Sequence, residues 1–239
     1  MHKNVEKMSI NYSPNFNLKK RISSSIKYLI FHYTGMKSEK GAINRLINKN
    51  SGVSCHYLIK NDGKILKIVP DLYIAWHAGI SSWKRDNLIN SKSIGIEISN
   101  PGHEYGYKNF NRNQILSIVS LSKKLIKKYN IKKENILGHS DIAPLRKKDP
   151  GEKFPWKLLY KKKISLWHNL NDKSCKRLRK IKLTDRKNFY KLLFKFGYKS
   201  SNNNKEKIKI YKSFQRRFRP QLISSIVDQE SYAILKSLI

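Results

Sequence analysis

Residues 25–34 read SIKYLIFHYT and residues 93–99 read SIGIEIS, and these two stretches decide the fold. The first stretch is apolar or aromatic at nearly every position, which predicts a buried strand. One of its faces carries Ile26, Tyr28, Ile30 and His32, and the other carries Leu29, Phe31 and Tyr33. The second stretch predicts a strand with isoleucine on one face and Gly95, Glu97 and Ser99 on the other, so we expect Glu97 to border a cavity or solvent.

The segments around these strands carry helix and hairpin patterns. Ser38 is a candidate N-cap for a helix over 38–49. Two alternating stretches, 56–60 and 65–69, flank Asn61-Asp62-Gly63 and predict a β-hairpin. Helical spacing predicts a long helix over 113–129, and a short strand at 135–137 then leads to His139. Strands that alternate with helices indicate an α/β or α+β domain, and we expect the α/β class, with a mixed central β-sheet flanked by helices.

Composition divides the chain into three parts. We expect a first domain over 1–160, a lysine-rich basic linker over 161–185 and a small three-helix domain over 186–239. Apolar residues at helical spacing predict the three short helices near 186–196, 205–218 and 228–238.

Charge and cysteine content limit the classes of partner. Lysine and arginine number 51 against 16 acidic residues, a formal net charge of +35. Such a charge favours polyanionic partners, but no compact basic reading element accompanies it, so general surface charge is preferred over a specific nucleic-acid site. Two cysteines exclude a disulfide framework; we expect one to be buried and one to be a surface thiol.

The N-terminus carries the information on targeting. Residues Met1–Lys7 lack the apolar stretch of an export signal, and no segment is apolar over the length that a transmembrane helix needs. We therefore expect a cytoplasmic protein if this N-terminus is complete, and otherwise a protein of the bacterial cell envelope or periplasm. The oligomeric state stays open.

Polar residues at strand ends indicate a metal site. His32 ends the first strand, His139 follows the strand at 135–137, and Asp149 comes ten residues later. Two neutral imidazoles and one carboxylate are a common set of catalytic zinc ligands, with the fourth position left for water. Glu97 would then take the proton of that water, and Lys147 would place a cation by the developing oxyanion. Taken alone, His32 fits a core histidine better, and the spacing permits this set without proving it.

Eight short segments, in order over residues 12–160, resemble the type 2 N-acetylmuramoyl-L-alanine amidases, which share their fold with peptidoglycan-recognition proteins. The segments are Ser13-Pro14-Asn15-Phe16, Phe31-His32-Tyr33-Thr34, Val53-Ser54-Cys55-His56-Tyr57, Asp62-Gly63, Val69-Pro70-Asp71, Ala75-Trp76-His77-Ala78-Gly79, Ser93-Ile94-Gly95-Ile96-Glu97, and Gly138-His139 through Lys147 to Asp149-Pro150-Gly151. The resemblance implies one Zn²⁺ bound by His32, His139 and Asp149, a catalytic acid at Glu97 and an assisting cation at Lys147.

Substrate contacts are a weaker expectation. Tyr33 directly follows a ligand and is expected to touch substrate. Trp76 and His77 belong to a family motif and either line the substrate groove or pack beneath it. His103 has no such motif and is expected at the surface.

The resemblance implies hydrolysis of the amide between N-acetylmuramic acid and L-alanine in peptidoglycan or muropeptides, for cell-wall turnover or recycling. Residues 214–220, FQRRFRP, resemble the helical peptidoglycan-binding domain of AmiD-like amidases, although these helices would alternatively only stabilise the enzyme. They and the Ser13-Pro14-Asn15 segment favour an AmiD-like member, whereas the missing export signal favours an AmpD-like, recycling member; of the two we expect the AmiD-like one. A non-catalytic peptidoglycan-recognition protein is the alternative, disfavoured by Glu97 with a complete ligand set, and a basic nucleic-acid-binding protein is a distant third.

Overall fold

The computed structural model describes residues 9–10 and 12–239, with side chains described from residue 12 onward. Met1–Lys7, in which the sequence shows no export signal, lies outside the described residues. The strands are β1 (Ser9–Ile10), β2 (Phe16–Asn17), β3 (Tyr28–Tyr33), β4 (Tyr57–Ile59), β5 (Ile65–Lys67), β6 (Ile74–Ala75), β7 (Ser93–Ile98) and β8 (Ile136–Gly138). Six of them form one sheet in the order β1-β5-β4-β7-β3-β8, and β2 pairs with β6. Neighbours in the sheet run parallel except in the β4–β5 hairpin, which confirms the predicted mixed sheet.

Both stretches that decide the fold form strands at the centre of this sheet. The first strand is shorter than predicted: β3 begins at Tyr28, because Ser23–Ser25 form a 3₁₀ turn. In that turn the Ser25 hydroxyl donates to the carbonyl of Ile22 at 2.7 Å. Short hydroxyl side chains offer the backbone such local bonds in place of a sheet ladder, which explains the late start.

The helices are α1 (Glu39–Ile47), α2 (Ile89–Lys92), α3 (Arg112–Tyr129), α4 (His139–Ile142), α5 (Trp156–Lys161), α6 (Asp172–Leu178), α7 (Arg186–Phe196), α8 (Asn204–Phe218) and α9 (Gln229–Leu238). The predicted cap of α1 is confirmed, since Ser38 accepts from the backbone N–H of Gly41. The three predicted C-terminal helices are also confirmed as α7, α8 and α9. Among the residues that the structure describes, no helix is both long and apolar enough to cross a lipid bilayer.

The predicted basic linker, 161–185, is packed rather than extended. It contains α6, and Ile164, Trp167 and Leu183 within it are buried. One apolar core runs from the sheet through this segment to α8 and α9. Both cysteines are buried, so the expectation of one surface thiol is wrong; Cys175 lies on the inner face of α6. The division of the chain into domains at 160 and 186 stays a prediction.

The parallel pairing of β8, β3 and β7 decides which side chains meet. The register pairs His32 with Glu97, and Phe31 with Gly138. The carboxyl ends of parallel strands lie at one edge of a sheet, where ligands of α/β proteins commonly bind. His139 directly follows β8 and therefore comes beside His32 at that edge.

Candidate metal and catalytic site

Three buried side chains converge at this edge of the sheet. The Nδ1 atoms of His32 and His139 are 3.0 Å apart, and Oδ2 of Asp149 lies 3.1 Å from the first and 3.0 Å from the second. Tetrahedral zinc with bonds of about 2 Å separates neighbouring ligand atoms by about 3.3 Å. The three residues therefore form a group able to hold one metal ion.

Close backbone packing places Asp149 in this group. A Cβ on Gly138 would lie only 2.6 Å from Cδ of Pro150, so glycine permits the loop to approach the end of β8. The Asp149–Pro150 peptide is cis, and the N–H of Ser140 donates to the carbonyl of Asp149 at 2.8 Å. The loop is thus held against the first turn of α4, which begins with His139.

The charges of the group match what a metal requires. Burial, and then the neighbouring His139, lower the pKa of His32 to about 4. Burial by itself would raise the pKa of Asp149, but His139 and His32 outweigh it and hold the pKa of that carboxyl well below its usual range. At neutral pH His32 is a neutral imidazole and Asp149 a carboxylate, which are the protonation states that bind zinc.

Glu97 lies beside this group and faces an open cleft of about 720 Å³. Its side chain is partly exposed to the cleft, while Oε2 is buried and has no hydrogen-bond partner among the described residues. Burial, and then the charge of Asp149, raise the pKa of Glu97 to about 8, against an opposing effect of Lys147. A carboxyl group that titrates near neutrality suits general acid–base chemistry.

The other predicted site residues line the same cleft: Lys147, Tyr33, Trp76 and His77. Lys147 is partly exposed, and its charge lowers the pKa of both Glu97 and His32. Trp76 is 37% exposed, and its indole N–H donates to Oδ1 of Asn17 at 2.6 Å. Trp76 therefore forms part of the rim of the cleft.

His77 lies deeper than Trp76 and contacts the metal group. Its Nδ1 is 3.1 Å from Nε2 of His32, and its Nε2 is 3.1 Å from the hydroxyl of Ser93. Of the two interpretations of His77, packing beneath the groove describes its buried position, although an edge of the residue reaches the cleft. His56 is also buried, and burial and then the charge of Arg21 lower its pKa to about 3.

His103 is the residue that the sequence interpretation missed. Its Nδ1 is 2.9 Å from the hydroxyl of Tyr33, its Nε2 is 3.1 Å from Glu152, and its ring stacks on Tyr107. It is half-buried and lines the cleft, rather than lying at the open surface as the sequence predicts. The preceding segment, Asn100-Pro101-Gly102, indicates only a turn, and no spacing in the sequence links His103 to Glu152.

Two findings extend the site beyond the predicted residues. Arg146 lines the cleft and donates to the carbonyls of Ala78 and Ile80. Asp141, two residues after His139, accepts from the backbone N–H of Gly138 at 2.8 Å and from Arg217 of α8 at 2.8 Å. The loop that carries His139 is therefore bonded to a C-terminal helix.

Known proteins are similar to this chain. The family described as N-acetylmuramoyl-L-alanine amidase (Amidase_2) matches residues 22–152. The chain is 35% identical over 230 residues to the N-acetylmuramoyl-L-alanine amidase AmiD of Escherichia coli, covering 90% of this chain and 82% of AmiD.

Solved structures show the same similarity. AmiD of E. coli in complex with anhydro-N-acetylmuramic acid-L-Ala-D-γ-Glu-L-Lys has a TM-score of 0.81 and 32% identity, covering 93% of this chain and 91% of that one. AmpDh3 of Pseudomonas aeruginosa in complex with an anhydromuramic pentapeptide has a TM-score of 0.79 and 29% identity, covering 94% and 95%.

The chain therefore belongs to the N-acetylmuramoyl-L-alanine amidase family and is a hydrolase of that class, AmiD-like over nearly its whole length. The family and the α/β fold predicted from the sequence are confirmed.

Proposed function

We propose that the chain uses one zinc ion to hydrolyse the amide between N-acetylmuramic acid and L-alanine in anhydro-muropeptides, in cell-wall turnover or recycling. The observation that carries the proposal is the cluster of His32, His139 and Asp149 beside the unpartnered carboxyl group of Glu97. The choice of substrate is supported by AmiD and AmpDh3, both of which were solved with anhydromuramic peptides.

The donor set fits zinc. Two imidazole nitrogens and one carboxylate oxygen, all buried and close together, leave one side open towards the cleft. Zinc bound there supplies a Lewis acid that polarises a carbonyl and lowers the pKa of water.

Glu97 would act as the general base and acid. Its unpartnered Oε2 is free to accept the proton of the attacking water, and the raised pKa of about 8 makes the carboxylate a stronger base for that step. The protonated Glu97 would then give the proton to the alanine nitrogen as the amide breaks. Lys147, whose charge acts on both Glu97 and His32, would stabilise the negative charge that develops on the lactyl carbonyl oxygen.

The cleft would bind the sugar and the stem peptide. Tyr33 places a hydroxyl, held by His103, at one wall, and Trp76 offers an exposed ring at another. Aromatic rings with one polar group bind amphipathic ligands of this kind. We assign the catalytic domain to 1–160, the connecting segment to 161–185 and a peptidoglycan-binding-like helical domain to 186–239, as supported by an AmiD match that spans them.

The test is release of free stem peptide. The zinc-loaded protein is incubated with purified anhydro-N-acetylmuramyl tripeptide and, separately, with intact sacculi, and the products are identified by mass spectrometry. We expect zinc-dependent release from the soluble substrate, and a loss of at least about 100-fold in kcat for Glu97→Gln with zinc still bound.

Glu104→Gln is the matched control, because Glu104 lines the same cleft but is exposed. If both the anhydro-muropeptide and the sacculi stay intact in the presence of one bound zinc per chain, the proposal is disproved. Release from sacculi alone would overturn the assignment of the substrate while leaving the reaction in place.

A further inference from the structure

His32 and His139 each have one ring nitrogen that points away from Asp149, and both of these nitrogens bond to the dipeptide His77-Ala78. His32 turns Nδ1 to the group and Nε2 to the ring of His77, at 3.1 Å. His139 turns Nδ1 to the group and Nε2 to the backbone carbonyl of Ala78, at 3.2 Å. A histidine binds metal through a nitrogen that carries no hydrogen, so the bond made by its other nitrogen decides whether Nδ1 is available.

The metal-binding tautomer of His139 matches its partner at Ala78. A carbonyl oxygen only accepts hydrogen bonds, so a His139 that binds metal through Nδ1 donates its Nε2 hydrogen to Ala78, whereas without metal the Asp149 carboxylate, 3.0 Å from Nδ1, competes for that hydrogen. Arg146 is the competing neighbour, with Nη2 at 3.5 Å from the same nitrogen, but its donors are directed to the carbonyls of Ala78 and Ile80.

The metal-binding tautomer of His32 is favoured by a chain of three bonds. The hydroxyl of Ser93 has one hydrogen, and it donates that hydrogen to the carbonyl of Ile89 at 2.6 Å. Ser93 is then an acceptor towards His77, so Nε2 of His77 carries the hydrogen and Nδ1 of His77 accepts. Nδ1 of His77 is therefore an acceptor for the Nε2 hydrogen of His32, which favours the tautomer that binds metal through Nδ1 over the one in which Nδ1 donates to Asp149.

The backbone around His77 is built for this position. A Cβ on Gly95 would lie 2.4 Å from the ring of His77, so only glycine leaves room for the imidazole over β7. The side-chain oxygen of Asn90 accepts from the N–H groups of His77 and Ala78 at 3.2 Å and 2.8 Å. Both parts of the dipeptide are thus fixed independently of the metal group.

We infer that His77, oriented by Ser93, and the carbonyl of Ala78 are the positioning groups that accept the Nε2 hydrogens of His32 and His139 and so favour the tautomers that bind metal through Nδ1. His77 acts through His32 and does not touch the reacting atoms. The role in metal binding rests on the proposed zinc site, but the tautomer of His77 is a property of the metal-free chain.

The experiment has two independent readouts. Long-range ¹H–¹⁵N NMR of the metal-free, ¹⁵N-histidine-labelled protein reports which ring nitrogen carries hydrogen, and competition with a chelator reports zinc affinity. For the wild type we expect His77 with hydrogen on Nε2 and none on Nδ1. Hydrogen on Nδ1 of His77 would overturn the inference, whatever the zinc affinity; absence of zinc binding with the expected His77 tautomer would instead count against the proposed function.

Ser93→Ala is the decisive variant, because it removes only the acceptor of His77. We expect His77 to lose its single tautomer and zinc affinity to fall by about 10-fold, in the range typical for outer-shell partners. Ser91→Ala is the matched control: Ser91 lies two residues away and also donates to a backbone carbonyl, that of Leu88 at 2.7 Å, but makes no contact with a histidine.

His77→Leu and His77→Asn complete the series. Leucine fills the site without an acceptor and should weaken zinc binding by about 100-fold, whereas the asparagine oxygen replaces the acceptor near Nδ1 and should restore most of it. Equal zinc affinity in His77→Leu, Ser93→Ala and the wild type would show that His77 only packs, and the inference would be wrong.

Discussion

Replacing Arg217 by methionine probes the ion pair between a C-terminal helix and the loop of the metal group. Arg217 is 2% exposed and Asp141 is 1% exposed, and their atoms Nη1 and Oδ2 are 2.8 Å apart. The guanidinium group also donates to the carbonyl of Ile136 at 2.9 Å and lies over the ring of Trp156. Methionine keeps much of the volume of the side chain but leaves the Asp141 carboxylate buried without its cation.

The expected loss is large relative to total stability. Breaking a buried pair by removing one partner costs about 3–5 kcal/mol, out of about 5–15 kcal/mol for a typical domain. Asp141 keeps its bonds from the N–H of Gly138 and from the hydroxyl of Tyr198, so we place the loss near the lower end, at about 3 kcal/mol.

The assay is urea denaturation of the metal-free protein, monitored by circular dichroism. Zinc is excluded because a bound ion would add to the stability. Arg177→Met is the matched control, since Arg177 lies exposed on α6. The double variant Arg217→Met, Asp141→Asn removes both charges and should cost less than the sum of the single variants by about 1–3 kcal/mol. Equal midpoints for Arg217→Met and Arg177→Met, or additive single losses, would refute this reasoning.

Three further predictions concern residues around the cleft. Gly95→Ala places a methyl group 2.4 Å from the ring of His77, so the free energy of unfolding should fall by about 1–3 kcal/mol. An unchanged thermal midpoint would contradict the packing described. His103→Phe keeps a ring on Tyr107 but removes the acceptor of the Tyr33 hydroxyl. We expect KM to rise by about fivefold with little change in kcat. A fall in kcat alone would instead place Tyr33 in the chemical step. Folding lowers the pKa of His56 to about 3. Unfolded histidine titrates near about 6.5, so below that pH the unfolded chain binds the extra proton and stability falls with falling pH by up to about 1.4 kcal/mol per unit. His56→Gln should reduce this slope between about pH 6.5 and 3 in urea midpoints, and an unchanged slope would exclude His56 as its source.

The sequence was most informative where pattern and chemistry coincide. The isoleucines of 93–99 alternate with Gly95 and Glu97, and this alternation correctly predicts both the strand and the cleft-facing position of Glu97. His139 and Asp149 were recognisable by the ten-residue interval of the family motif, and the structure brings both of them to His32.

The sequence was least informative where the decisive contacts join distant loops. His103 depends on Tyr33 and Glu152, which are 70 and 49 residues away and share no periodicity with it. The packed segment 161–185 was predicted as a linker, because a lysine-rich surface masks the few apolar side chains that it buries. Its helix α6 buries only one residue, Cys175, so the sequence has no repeated apolar spacing from which this helix could be predicted.

The bond from α8 to Asp141 limits how the C-terminal helices of such enzymes can be exchanged by recombination. A module on a tether is transferable between proteins, since its removal leaves the remaining domain intact. Here Arg217 supplies the counter-charge for a carboxylate that lies two residues from His139. A recombination that replaced the C-terminal helices would need to bring an arginine to the same place or lose Asp141 at the same time. Exchange of the C-terminal helices in this chain therefore requires a matching change at Asp141.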